Sequence, residues 1–254
     1  MVVEFERRGR VGLITLNRPE ARNAVNGDVA RGVEQALDEI ENDAELWVGV
    51  ITAKGPVFCA GADLKEIAAG NGGALSTERG GFAGIVRRER EKPLIAAIPG
   101  TAVAGGCEIA LSCDLIVAAE ETVFGLPEVK RSLVAAAGGL FRLPRVIGRA
   151  LALEMIMTGD PVPAARALEL GMINAMVASD QVLDEALKLA ERICANAPIA
   201  VRESRKVALR AFEEDDETLW KQSGAAFGVV AGTEDFAEGP KAFVEKRAPA
   251  WKGR

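Results

Sequence analysis

Apolar residues arrive along this chain in two spacings, and each spacing predicts a different element. Nearly continuous apolar runs at Val11–Leu16, residues 47–52 and Leu94–Ile98 read as strands buried on both faces. Residues 2–7 form a more polar strand, joined to the first run through a glycine-containing turn as a hairpin. Between these runs the spacing changes. Asn26-Gly27-Asp28 offers cap residues for a helix through position 41, with Val29, Val33, Leu37 and Ile40 on one face. Residues 71–84 are rich in glycine and small polar residues and read as a mobile loop.

Strand and helix signals then alternate to about position 177, which predicts an α/β fold with much parallel pairing. The remainder is helical. Residues 180–196, 199–212, 218–230 and 235–246 each carry a helical pattern, and Val182, Ala186, Leu189 and Ile193 give the first an apolar stripe. The expected organisation is a core over residues 1–195 that carries the active site, followed by a helical region over residues 196–254.

Composition changes this picture only by exclusion. The chain has 254 residues, 49% of them hydrophobic and 27% charged, as in an ordinary globular protein. A formal charge of −6 argues against nucleic acid as a partner, because phosphate binding needs a basic surface. Charges break every apolar stretch well short of a membrane span, and the first eight residues do not resemble a secretory leader. Four cysteines without a CxxC pair suit a reducing compartment, so no membrane and a cytoplasmic location are expected. Histidine and tyrosine are both absent. A Ser-His-Asp triad, an HExxH metal site and a histidine base are therefore excluded, and no metal is expected. Carboxylates, lysines, cysteines or backbone dipoles must do any chemistry.

Three segments offer such groups. Phe58-Cys59-Ala60-Gly61-Ala62-Asp63 is a small-residue turn before a helix near Leu64, which leaves backbone N–H groups free to meet an anion, with Asp63 available as a cap. Ala104-Gly105-Gly106-Cys107-Glu108 opens a second helix, where Glu108 sits three residues past Gly105 and can face the same site. Glu108 and Asp114 are the only charges between positions 101 and 119. In Phe124-Gly125-Leu126-Pro127-Glu128 the proline fixes the local backbone and helps aim Glu128.

Taken in order, these segments resemble the enoyl-CoA hydratase/isomerase (crotonase) family. The match includes Leu16-Asn17-Arg18-Pro19-Glu20-Ala21-Arg22-Asn23-Ala24, Met157-Thr158-Gly159 and Ala242-Phe243-Val244-Glu245-Lys246-Arg247, with the two glutamates twenty positions apart. The resemblance implies a spiral of ββα turns whose C-terminal helices form homotrimers or hexamers. It implies an acyl-CoA substrate and no cofactor beyond the coenzyme A of that substrate. The N–H groups of Ala62 and Gly105 would hold the thioester oxygen, and Glu108 and Glu128 would move the protons. Ala60, Ala62, Asp63, Leu64, Lys65 and Gly105 would bind the coenzyme A and acyl portions, joined by Phe227, Phe243 and Lys246 from the C-terminal region. Hydration of an enoyl-CoA is the activity implied. A carnitinyl-CoA dehydratase-like branch, suggested by Gly80-Gly81-Phe82-Ala83-Gly84, and a non-catalytic scaffold on the same fold are the alternatives. Two positions depart from the family pattern. Ala104 stands where a first glycine is usual, and Ala135-Ala136-Ala137-Gly138-Gly139 replaces Pro-Gly-Ala-Gly-Gly, so a positive φ at Ala136 would be strained.

Overall fold

A computed structural model describes residues 1–254. The chain opens with the expected hairpin: β1 (Val3–Arg8) pairs antiparallel with β2 (Val11–Leu16), Val3 opposite Leu16. Helix α1 (Gly27–Asn42) follows, capped by the Asn26 side chain, which accepts from Val29 N. Three further turns repeat one pattern. They are β3 (Val48–Ala53), β4 (Val57–Cys59) and α2 (Leu64–Ala68); β7 (Leu94–Ile98), β8 (Thr101–Val103) and α3 (Gly105–Ser112); and β9 (Leu115–Ala119), β10 (Val123–Gly125) and α4 (Gly139–Ile147). A small hairpin of β5 (Ser76–Thr77) and β6 (Gly81–Phe82) lies between the first two. Then come α5 (Arg149–Thr158), β11 (Val162–Pro163), α6 (Ala164–Glu169), β12 (Ala175–Val177) and four helices: α7 (Val182–Cys194), α8 (Pro198–Ala208), α9 (Asp216–Ala231) and α10 (Glu234–Glu245).

The first strand of each turn joins a six-stranded sheet of order β1-β2-β3-β7-β9-β12, parallel from β2 onward. The second strand joins a four-stranded sheet of order β11-β10-β8-β4. This is the spiral of ββα turns. Strand alternation divides the core. Val11, Leu13, Val48, Val50, Ile95, Ala97 and Val117 face α7, packing on Val182, Ala186 and Ala190. Ile14, Leu16, Ile51, Ala96, Ile98 and Ile116 face the other way, toward Val29, Val33, Leu37 and Ile40 of α1 and the buried rings of Phe58 and Phe124.

Residues 71–84 are not the mobile loop expected. Leu75 and Ala83 are buried, and Glu34 of α1 accepts from Thr77 Oγ1 (2.8 Å) and Gly80 N (3.0 Å). Arg79 pairs with Asp38 at 2.6 Å. Glycines that suggest a loop here serve a tight hairpin fastened to α1.

Helices α8–α10 pack mainly on one another. Arg205 ties α8 to the core through Asp114 (2.8 Å) and the Arg90 carbonyl (2.7 Å). The last residues fold back: Lys252 N and Gly253 N donate to the buried Asp235 carboxylate, and Trp251 Nε1 donates to the Ala195 carbonyl. No helix is long and apolar enough to cross a membrane.

Candidate active site

Two backbone turns meet at the carboxyl ends of β4 and β8. In the first, Val25 N donates to Gly61 O (2.8 Å) and Asp63 N to Val25 O (2.9 Å), which pins the backbone on both sides of Ala62. The Ala62 N–H finds no acceptor within the chain. In the second, Gly105 is the first residue of α3, so its N–H has no intrahelical acceptor. The turns touch. A methyl on Gly61 would lie 2.8 Å from Ala104 Cβ and 3.0 Å from Gly105 N. A methyl on Gly105 would meet the Phe82 ring at 2.5 Å, so glycine is required for close approach there. Two N–H donors in touching turns, one of them at a helix N-terminus, are a chemistry suited to stabilising negative charge on oxygen.

Glu108, one turn into α3, is 3% exposed. Its Oε1 accepts from Gly139 N at 2.9 Å. Burial pushes its carboxyl up to about 7; nearby Glu128 adds to this, while the Gly139 and Ala137 N–H groups and Arg142 oppose it. Glu128 sits in a 3-10 turn (Pro127–Arg131) with Pro127 at its first position. It is half-buried, and burial raises its carboxyl too. Glu128 Oε2 is buried without a hydrogen-bond partner in the protein. Such an orphaned carboxylate oxygen is costly unless a water or substrate engages it. Cys59 is not a competing nucleophile, since burial pushes its thiol to about 12.

The remaining sequence-predicted residues divide by place. Ala60, Ala62, Leu64 and Lys65 share the first turn, with Leu64 and Lys65 exposed at the start of α2. Asp63 is there too, but its side chain is already occupied. One oxygen accepts from Lys65 N (3.0 Å) and the other from Arg18 Nη1 (2.7 Å), and Arg18 holds the carboxyl below its usual range. The Asp63 side chain therefore braces the turn. Phe227, Phe243 and Lys246 stand apart on α9 and α10. Phe227 packs edge-on to Phe236 with centroids 5.9 Å apart, and Phe243 is 84% exposed. The strain expected at Ala136 is absent, because the positive φ of that loop falls on Gly138 (111°); it occurs instead at Ala104, with φ 52° and ψ −130°.

Sequence reasoning missed three supports. Arg18 binds the Ala24 carbonyl as well as Asp63. Asn23, 1% exposed, donates to the carbonyls of Lys54 and Val57 and accepts from Arg18 N. Arg142 reaches the loop beside Glu108. The first two lie inside the Leu16–Ala24 motif, which was the available signal; Arg142 carried none.

The sequence profile of the enoyl-CoA hydratase/isomerase family matches residues 6–254. The chain belongs to this family. It is 37% identical over 250 residues to a short-chain-enoyl-CoA hydratase of Clostridium acetobutylicum, covering 96% of this chain and 95% of that relative. A crystal structure of enoyl-CoA hydratase from Mycobacterium tuberculosis H37Rv superposes with a TM-score of 0.96 at 45% identity, covering 100% of this chain and 99% of that one. A crystal structure of carnitinyl-CoA hydratase from Mycobacterium avium superposes with a TM-score of 0.80 at 48% identity, over 100% and 99% of the two chains.

Proposed function

We propose that this enzyme is a hydro-lyase, an enoyl-CoA hydratase that adds water reversibly across the 2,3 double bond of an enoyl-CoA thioester. The observation that carries this reading is a buried carboxylate, Glu108, and a half-buried one, Glu128, with an unpartnered oxygen, beside two backbone N–H groups free of other acceptors. The Ala62 and Gly105 N–H groups receive the thioester oxygen. As water attacks C3, negative charge builds on that oxygen, where loss of one such donor costs about 3–4 kcal/mol. Glu108 and Glu128 hold the water and carry one proton between them; burial raises both carboxyls, and the charge of Glu128 raises Glu108 further. One carboxylate takes a proton from water while the other carboxyl gives its proton to C2. The pair ends with the single proton it started with, so no cofactor is required beyond the substrate's own coenzyme A.

The exposed start of α2, with Ala60, Leu64 and Lys65, suits the pantetheine and nucleotide portions of coenzyme A. Phe227, Phe243 and Lys246 reach that ligand once α9 and α10 pack in a homotrimer or hexamer. The four cysteines are free thiols, as suits a cytoplasmic enzyme. A carnitinyl-CoA dehydratase is the second reading. It is favoured by Phe82, an aromatic ring against Gly105, since a trimethylammonium group is attracted to aromatic rings.

Loss of enoyl absorbance with crotonyl-CoA tests the hydratase directly. Glu108→Gln and Glu128→Gln should each lower kcat by roughly 10²–10⁴, with acyl-CoA binding retained. Near-normal turnover in either variant removes that residue from the mechanism.

A further inference from the structure

Arg142 of α4 is a partly buried guanidinium without an ion pair. Its Nη1 donates to the Ala137 carbonyl (3.2 Å) and its Nη2 to the Val86 carbonyl (2.6 Å). The loop it grips is the one that serves Glu108. Ala137 accepts from Arg142 on one side, while two residues on Gly139 N donates to Glu108 Oε1. Between them Gly138, at φ 111°, passes so close to the guanidinium that a methyl at that position would collide with Nη1. The second carbonyl belongs to Val86, whose N–H bonds back to Phe82 O, beside the ring that lines Gly105. One cation thus joins the loop under Glu108 to the wall beside the oxygen-binding turn.

We propose that Arg142 is the positioning residue of this site, holding residues 137–139 against Glu108 and supplying the positive field in which Glu108 exchanges its proton. Burying a guanidinium on neutral carbonyls alone is unfavourable, and proximity to a carboxylate that ionises during turnover gives that placement a use. The charged and titratable groups around the two are few. Glu108 faces Glu128 from the turn after β10, Arg142 from α4 and Cys107 on its own helix. Arg142 faces Arg90, Arg145 and Cys113 besides Glu108. Arg142 is the one cation whose charge offsets the burial of Glu108. Its kinetic consequence rests on the hydratase reading; its effect on Glu108 does not.

The test compares wild type, Arg142→Gln and Arg142→Lys by two readouts. Carbon-13 NMR of glutamate-labelled protein, assigned with Glu108→Gln, follows the Glu108 titration without substrate. Crotonyl-CoA hydration from pH 5 to 9 gives kcat and KM. In Arg142→Gln the Glu108 titration should move up by about one pH unit, a tenfold change in its protonation equilibrium. The acid limb of kcat should follow, with KM within about threefold of wild type. Arg142→Lys keeps the charge but lacks the two-armed fork. It should titrate as wild type while losing kcat severalfold. An unmoved titration in Arg142→Gln, or a change confined to KM, overturns the proposal. If Arg142→Gln does not fold, Arg142→Lys decides it, and an unchanged kcat there overturns it equally. If wild type hydrates no enoyl-CoA, the hydratase reading fails while the NMR titration still judges Arg142.

Discussion

Glu108 has a thermodynamic signature separate from its chemistry. Its carboxyl titrates near 7 in the fold against an ordinary value of 4.5, so the folded state binds its proton more tightly than the unfolded chain. This group's contribution to stability is therefore fully present below about pH 4.5 and is lost as pH rises through 7. Above that, the buried charge costs on the order of 3 kcal/mol. Glu108→Gln keeps an acceptor for Gly139 N and never ionises. It should melt several degrees above wild type at pH 8 and close to wild type at pH 4.5, as calorimetry can check. Equal differences at both pH values would mean Glu108 is not held neutral. Ala104 carries a different kind of strain. Its φ and ψ are those of a type II′ turn position that favours glycine, a conformation costing roughly 1–3 kcal/mol for other residues. Ala104→Gly relieves it but loosens the unfolded chain, so a net gain of about 1 kcal/mol is expected. Thermal melts should show a higher Tm with turnover retained, and a lower Tm would contradict the strain.

At the scale of elements, the β5–β6 hairpin sets the position of Phe82 and is fastened to α1 by Glu34 and Asp38. Glu34→Ala removes the acceptor for Thr77 Oγ1 and Gly80 N, a loss of roughly 1–3 kcal/mol. It should change KM and acyl-chain preference across short, long and charged acyl-CoAs while the oligomer persists. An unchanged preference would take the hairpin out of substrate selection. This hairpin also marks where sequence reasoning stopped. The strands of the large sheet and helices α1 and α7 were legible because each buries a face whose spacing is written locally. Glu108 was legible as a lone carboxylate in an apolar run. The order of residues 71–84 was not, because it comes from Glu34 and Asp38, about forty positions upstream. Asp63 was legible as a cap, but its pairing with Arg18 was not, because that partner lies 45 residues away. Arg142 carried no sequence signal, because the Ala137 and Val86 carbonyls it grips are set around it only by the fold.

The whole molecule leaves large apolar side chains exposed across its C-terminal segment. Phe212 is 76% exposed, Trp220 77% and Val244 79%, well beyond scattered surface residues. Light scattering should therefore find a trimer or hexamer, and a stable, active monomer would refute that assembly. The same region has an internal weak point. Asp235 is buried, and its acceptors are met by Lys252 N and Gly253 N. Deleting residues 251–254 strands that carboxylate, a loss of about 1–3 kcal/mol or more for a charged group. The truncated protein should melt lower and dissociate more readily than the full chain. An unchanged melting profile would show that the returning tail contributes nothing.

Sheet order follows chain order from β1 through β3, β7 and β9 to β12, so each new strand is laid on the edge left by the one before. A chain emerging from the ribosome never has to open a finished sheet to admit a later strand. Growth proceeds in one direction, as in a solenoid. The Ala62 and Gly105 N–H groups and both glutamates are in place once β10 and the turn after it have joined. The Gly139 N–H that anchors Glu108, and Arg142 behind it, arrive immediately afterwards. The proposed site is thus complete before α7–α10 have emerged, and those four helices come last.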